Sequence, residues 1–155
     1  MPGQEDAFIY RRAEEKDAAC LAALRMCQLQ EEGGPLNEEV GAALKDWYSI
    51  HLKDGSFISW LAADSEKIAA ASGMTFAVKP PYAANPQGKI GLVSNMYTCP
   101  AYRRKGLANE LLKRVLEEAR AYGRGVVQVT ASEMGVLLYR RAGFEMRKNF
   151  MQYIF

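Results

Sequence analysis

A chain of 155 residues with 49% hydrophobic and 25% charged content has the make-up of one ordinary globular domain with a proper core. Its formal net charge of +2 supplies no global field to draw in nucleic acid or a membrane surface, and its apolar runs are too short to span a bilayer. The N-terminal MPGQEDAFIYRR lacks the charged-then-apolar layout of a signal peptide, so a cytoplasmic location is the default expectation.

The three cysteines agree with that setting. Cys20 and Cys27 fall on one predicted helix, about 10 Å apart along its axis, which is too far for a disulfide. Cys99 stands alone, and His51 is the only histidine. No Cys/His cluster has metal-ligand spacing, so no metal is expected.

In chain order, Ala7 to Arg12 reads as a first strand. From Glu14 to Glu32 the pattern is helical, with Cys20, Leu24 and Cys27 on one line, and Gly33-Gly34-Pro35 stops it. Asn37 is a good N-cap for a second helix, with Glu38 and Glu39 in the first turn and Val40, Leu44, Trp47 and Leu52 on the buried side. After the Asp54-Gly55 turn, strands are expected over Phe57–Ala63 and Lys67–Val78, joined by Asp64-Ser65-Glu66. Phe57, Ser59 and Leu61 alternate with Ile58, Trp60 and Ala62 across the first of them. Lys79 to Gln87, with its three prolines, must be a loop.

Lys89 to Thr98 is a central strand that leads into the stretch around which the chain is organised. After the basic turn Arg103-Arg104-Lys105-Gly106 comes a long amphipathic helix. Leu107, Leu111 and Val115, joined by Ala108, Leu112, Leu116 and Ala119, form its apolar stripe. The first N–H groups of a helix point outward without partners, and the macrodipole adds positive charge there. Gly106 removes a side chain where a ligand or backbone must come close, and three cations flank it. Such a turn suits phosphate or pyrophosphate. The chain has neither Gly-x-x-x-x-Gly-Lys-Ser/Thr for a nucleoside triphosphate nor Gly-x-Gly-x-x-Gly after a strand for a dinucleotide. Gly123 and Gly125 end the helix, Val126 to Thr130 is a strand, Glu133 to Ala142 a short helix, and Phe144–Lys148 with Phe150–Ile154 a closing hairpin.

Arg103-x-x-Gly106-x-Ala108, preceded by Pro100-x-Tyr102, resembles the Arg/Gln-x-x-Gly-x-Gly/Ala signature of the GNAT superfamily of acyl-CoA-dependent N-acetyltransferases. Ser132-x-x-Gly135-x-x-Leu138-Tyr139-Arg140-Arg141-Ala142-Gly143-Phe144 is similar to the superfamily's second common segment, Asn-x-x-Ala-x-x-Leu-Tyr-x-x-x-Gly-Phe. The two segments occur in the expected order and together cover roughly the C-terminal half; the N-terminal half agrees in element order alone. The resemblance implies an α/β GNAT fold over 1–155. Its mixed sheet would have about six to seven strands, helices on both faces, and a splay between the two central parallel strands, here those ending at Thr98 and Thr130.

It implies further that acetyl-CoA is bound and its acetyl group passed to an amine. The pyrophosphate would rest on the basic turn, Arg103, Arg104, Lys105, Gly106, Leu107 and Ala108. The pantetheine arm would pair along Met96, Tyr97 and Thr98, and an N–H near Tyr97 would polarise the thioester carbonyl. Tyr139 resembles the usual proton donor to the departing sulfur; a phenol with its ordinary pKa near 10 lies close to a thiol. Ser132, where many relatives have Asn, would contact the pantetheine arm or cap the following helix, with capping the stronger reading.

Many relatives use a glutamate on the central strand as general base, and Lys89–Thr98 carries no carboxylate. Glu31, Glu32, Glu38, Glu133 and His51 remain as candidates. The acceptor pocket would be built by the acidic connection Glu31–Glu39 and the basic Arg147–Asn149, with the Lys79–Gln87 loop leaning over the cleft. Polyamine, amino acid, aminoglycoside and peptide N-terminus all stay open as acceptors. A homodimer is compatible with the resemblance. Nucleic-acid binding through Arg103, Arg104 and Lys105 is not expected from so few cations. The competing function is a CoA-binding sensor or partner-binding module that kept the fold and lost catalysis.

Overall fold

The computed structural model describes residues 7–35, 37–123 and 125–155. The first six residues of the N-terminal stretch read above, Leu36 in the acidic connection and Arg124 between the helix-ending glycines lie outside the described residues.

The elements follow one another as β1 (Ile9–Arg12), α1 (Ala18–Glu31), α2 (Glu38–Asp54), β2 (Phe57–Ile58), β3 (Trp60–Asp64), β4 (Lys67–Val78), β5 (Lys89–Thr98), α3 (Leu107–Tyr122), β6 (Val126–Val129) and α4 (Val136–Arg141). Short 3-10 turns precede α1 and follow β5. Six strands form one mixed sheet in the order β1-β3-β4-β5-β6, with β2 also on β4. Every pairing is antiparallel except that of β5 with β6.

The period-two alternation expected around Phe57 sets the two faces of the sheet. Phe57 and Leu61 pack under α1 and α2 with Leu21, Tyr48 and Ala71. Ile58 joins Met74, Val93, Leu112, Val115 and Tyr139 on the opposite face, under α3 and α4. The stripe read on the long helix is the buried side of α3: Leu107, Leu111, Leu112, Val115 and Ala119 are all within the core. The run of small residues Ala69, Ala70 and Ala71 in β4 is fully buried between these layers.

Two expectations are corrected. The strand over Phe57–Ala63 is broken at Ser59 into β2 and β3. The buried Ser59 hydroxyl donates to the Ser72 carbonyl of β4, and its own carbonyl accepts from Ala13 N, just after β1, at 2.8 Å, so its side chain takes part where a regular ladder would use backbone alone. The closing hairpin over Phe144–Lys148 and Phe150–Ile154 is absent: residues 144–155 carry no strand, and β6 pairs with β5 alone among the described residues. The link Arg147-Lys148-Asn149 lacks the Asn-Gly or Gly-X pair that drives a tight hairpin, so pairing there depends on a tertiary partner.

Candidate active site

The site begins where β5 parts from β6. Their parallel ladder ends at Val93 opposite Val129, while β5 runs on to Thr98. On its other side β5 changes register against β4, from Gly73–Ser94 to Ala71–Tyr97. That shift places one extra residue in β5, a bulge that bends the strand as the ladder to β6 ends. Asn95 sits in the bulge with φ 58°, a left-handed conformation that Asn tolerates better than most residues. Its side-chain amide is buried and donates to the Tyr48 hydroxyl of α2, and burial pushes that phenol up to about 12. Sequence reasoning missed this device; its only local signal was Asn95, a residue type depleted in strands, inside the run read as a central strand.

Beyond the bulge the chain turns into α3. Arg104 (φ 64°) and Gly106 (φ 79°) are both left-handed, separated only by Lys105. Alternation of this kind turns successive backbone N–H groups toward a common concavity that suits an anion. No side chain caps α3, so its first N–H groups are not claimed by a cap. A Cβ on Gly106 would meet nothing within 4 Å, so its bare face looks into open space. The turn expected at Arg103–Ala108 therefore has the form of an anion cradle, with Leu107 buried in the core behind it.

Arg103 points elsewhere than expected. Its Nη2 donates to both Glu31 carboxylate oxygens, at 2.7 and 3.0 Å, and its Nε to the Thr98 carbonyl at 3.0 Å. The Tyr97 hydroxyl donates to Glu31 Oε1 at 2.8 Å. Arg103 foremost, then Tyr97, holds the Glu31 carboxyl below its ordinary range. Burial, then the hydrogen bond to Glu31, pushes the Tyr97 phenol up to about 12. The Met96 carbonyl accepts from Gln28 Nε2 at 3.2 Å. The carbonyls of Met96 and Thr98 thus each hold one side-chain donor.

Tyr139 lies on the α4 side of the same region. It is buried among Val93, Leu112 and Val115, with the Phe144 ring edge-on at 5.5 Å. Burial, then the charge of Glu32, pushes its phenol up to about 12, above the ordinary value near 10. Ser132 accepts from Gly135 N at its hydroxyl (3.2 Å) and its carbonyl (3.0 Å), so it ties the turn before α4.

The other candidates separate by position. Glu38 and Glu133 are exposed, the former in the first turn of α2. His51 is not brought to the site. It sits in the last turn of α2, its Nδ1 2.6 Å from Ser56 Oγ and its ring 4.2 Å from that of Trp47. The Lys79–Gln87 loop is at the opposite end of β5 from the cleft. Asn85 donates to the Lys89 carbonyl at 2.9 Å, and its side chain lies against Gly125 beyond α3, so the loop does not lean over the site. Residues Arg147–Asn149 are exposed and outside any paired strand. A groove of about 330 Å³ lies between α3 and α4, lined by Asn109, Lys113 and Arg141 among others. No group of His, Cys, Asp or Glu among the described residues could hold a metal ion, and no described helix is long and apolar enough to cross a membrane.

The family described as "Acetyltransferase (GNAT) domain" matches residues 55–146, more than half of the chain. The chain belongs to the GNAT acetyltransferase family. Members of this family use acetyl-CoA as acetyl donor. Among solved GNAT-like structures, a predicted acetyltransferase from Clostridium acetobutylicum, crystallised with acetyl-CoA, superposes with a TM-score of 0.91 at 28% identity, covering 96% of each chain. A GCN5-related N-acetyltransferase from Ralstonia eutropha gives 0.84 at 26% identity, over 96% of this chain and 99% of that one. Glucosamine-6-phosphate N-acetyltransferase from Arabidopsis thaliana shares the GNAT fold, with a TM-score of 0.74 at 15% identity over 96% of this chain and 99% of its own. No protein of curated function matches this GNAT chain.

Proposed function

We propose that this chain works as one GNAT domain that transfers the acetyl group of acetyl-CoA directly to an amine. The observation that carries the reading is the parting of β5 from β6 after Val93 and Val129, with the uncapped start of α3 following β5 and Tyr139 packed in one core cluster with Val93 and Val129.

The residues present fit the donor. Acetyl-CoA supplies an acyl group activated as a thioester and a pyrophosphate that anchors it. The N–H groups from Arg104 to Ala108 would hold the pyrophosphate, with Gly106 leaving room for it. The stretch of β5 beyond its ladder with β6, at Met96, Tyr97 and Thr98, would take the amide-bearing arm as an added strand. Tyr139 Oη keeps its proton throughout neutral pH, because burial and the Glu32 charge both oppose ionisation. It is the proton donor for the departing sulfur. Ser132 acts as a turn-forming residue rather than a contact to the donor.

The attacking amine must be neutral. Glu31 is committed to Arg103 and Tyr97, which leaves the neighbouring Glu32, exposed at the C-cap of α1, as the carboxylate that would receive the ammonium proton. Glu32, Glu38 and Glu39 leave the α1–α2 side acidic, which favours a cationic amine as acceptor. A second reading, a CoA-binding module without catalysis, is favoured by the lack of any carboxylate on β5.

The test is a thermal shift with acetyl-CoA, CoA and desulfo-CoA, followed by thiol release across amine classes. Binding to the folded state raises the melting temperature by mass action. A shift with release in the presence of a cationic amine supports the transferase. A shift without release from any amine moves the module reading ahead, and no shift at millimolar donor removes both.

A further inference from the structure

Along β5 the side chains change faces out of step. Val93 packs under α3 with Leu112 and Val115, so a period of two would put Asn95 and Tyr97 on that side as well. Instead the Asn95 amide reaches Tyr48 of α2 and the Tyr97 hydroxyl reaches Glu31 of α1, while Met96 packs on the α3 side. Ser94 pairs with Gly73, whose bare face lies against Phe57 in the layer under α1 and α2: a Cβ there would stand 2.5 Å from the ring. Ser94 and Asn95 therefore face the same way. The extra residue of the bulge reverses the phase of every side chain after it.

We propose that Tyr48 is a positioning residue for acetyl transfer: its hydroxyl, through the Asn95 side chain, holds β5 in the phase that presents Met96, Tyr97 and Thr98 to the acyl donor. The proposal rests on the transferase reading above. Asn tolerates a left-handed φ, but inside a strand such a residue persists only where its surroundings over-determine it. Tyr48 supplies that constraint. It is 2% exposed, with the rings of Trp47 and Phe57 at 5.5 and 5.4 Å, so its hydroxyl has one fixed place. Asn95 is itself 8% exposed, and without the hydroxyl its amide would lose that partner inside the core. The strand escapes by dropping the bulge, which turns Tyr97 toward α3 and breaks its bond to Glu31. Gln28 of α1, whose Nε2 donates to the Met96 carbonyl at 3.2 Å, would lose its acceptor with it. Tyr48 thus acts through Asn95 and the backbone rather than on the reacting atoms.

Tyr48→Phe keeps the ring and removes only the hydroxyl. With acetyl-CoA and a competent amine it should lower kcat/KM at least tenfold; wild-type values overturn the proposal. In an Asn95→Gly background the same change should cost less than twofold, because glycine takes a left-handed φ freely and brings no amide to satisfy. Lost packing or stability would cost the same in both backgrounds, so equal penalties also overturn it. Hydrogen exchange gives a readout that needs neither donor nor amine. In Tyr48→Phe the backbone amides of 95–98 should exchange at least tenfold faster, with those of α3 unchanged. No change in β5, or equal acceleration in α3, overturns the proposal. Should the wild-type chain release no thiol with any amine, the transferase reading falls by itself, and acceleration confined to 95–98 still supports Tyr48 as the residue that sets the phase of the strand.

Discussion

Arg103 closes on Glu31 through one guanidinium nitrogen, 2.7 and 3.0 Å from the two carboxylate oxygens. The pair ties the end of α1 to the turn before α3, and the Tyr97 hydroxyl joins it from β5. An arginine expected to face a pyrophosphate is therefore already spoken for by a carboxylate. Replacing Glu31 with Gln should release Arg103 toward the anion cradle. Acetyl-CoA should then bind about threefold more tightly at low salt, the gain fading as salt screens it. Isothermal titration at two salt concentrations checks this; an unchanged affinity would leave Arg103 with a purely structural role.

Gly106→Glu should abolish acetyl-CoA binding while the domain still folds. The position is left-handed and its missing side chain faces open space, so bulk and negative charge would enter the cradle. Gly106→Ala isolates the backbone term and should cost about 1 kcal/mol of stability. Full binding by the glutamate variant would refute the placement of the pyrophosphate.

Tyr139→Phe should lower kcat by about 100-fold, the scale of a lost general acid, with the KM for acetyl-CoA nearly unchanged. The ring stays in its apolar setting beside Phe144, so stability should change little. Steady-state kinetics with a competent amine decides; wild-type turnover would take the tyrosine out of the mechanism.

Asp17 tests the other end of the fold. Arg11 donates to both its oxygens at 2.8 and 2.7 Å, and Glu14 N adds a third bond at 2.8 Å. The Arg11 bond foremost holds the Asp17 carboxyl below its ordinary range. A depressed carboxyl stabilises the fold above its unfolded pKa near 4, and that stability is lost as pH falls through the lower folded value. Asp17→Ala should cost about 1–2 kcal/mol at neutral pH, less than a fully buried pair because Arg11 is partly exposed. Urea unfolding of both proteins should show the difference shrinking below pH 4; a cost that stays constant into acid would assign it to packing.

Local pattern was enough for much of this protein. The stripe on α3, the alternation around Phe57, the Asn37 cap and the glycine at the head of α3 are periodicities or single-residue conformational needs. Each is satisfied within a few residues of itself, so the sequence by itself determined the element order, the left-handed turn at Gly106 and the position of Tyr139 on a short helix. Tertiary structure alone decided what those elements face. Glu31 and Arg103 are separated by 72 positions, and nothing near either one announces the other. The bulge at Asn95 needs β4, β6 and Tyr48 to define it. Phe144–Lys148 and Phe150–Ile154 read as a hairpin, yet neither forms a strand, because backbone pairing between segments is not written into either segment.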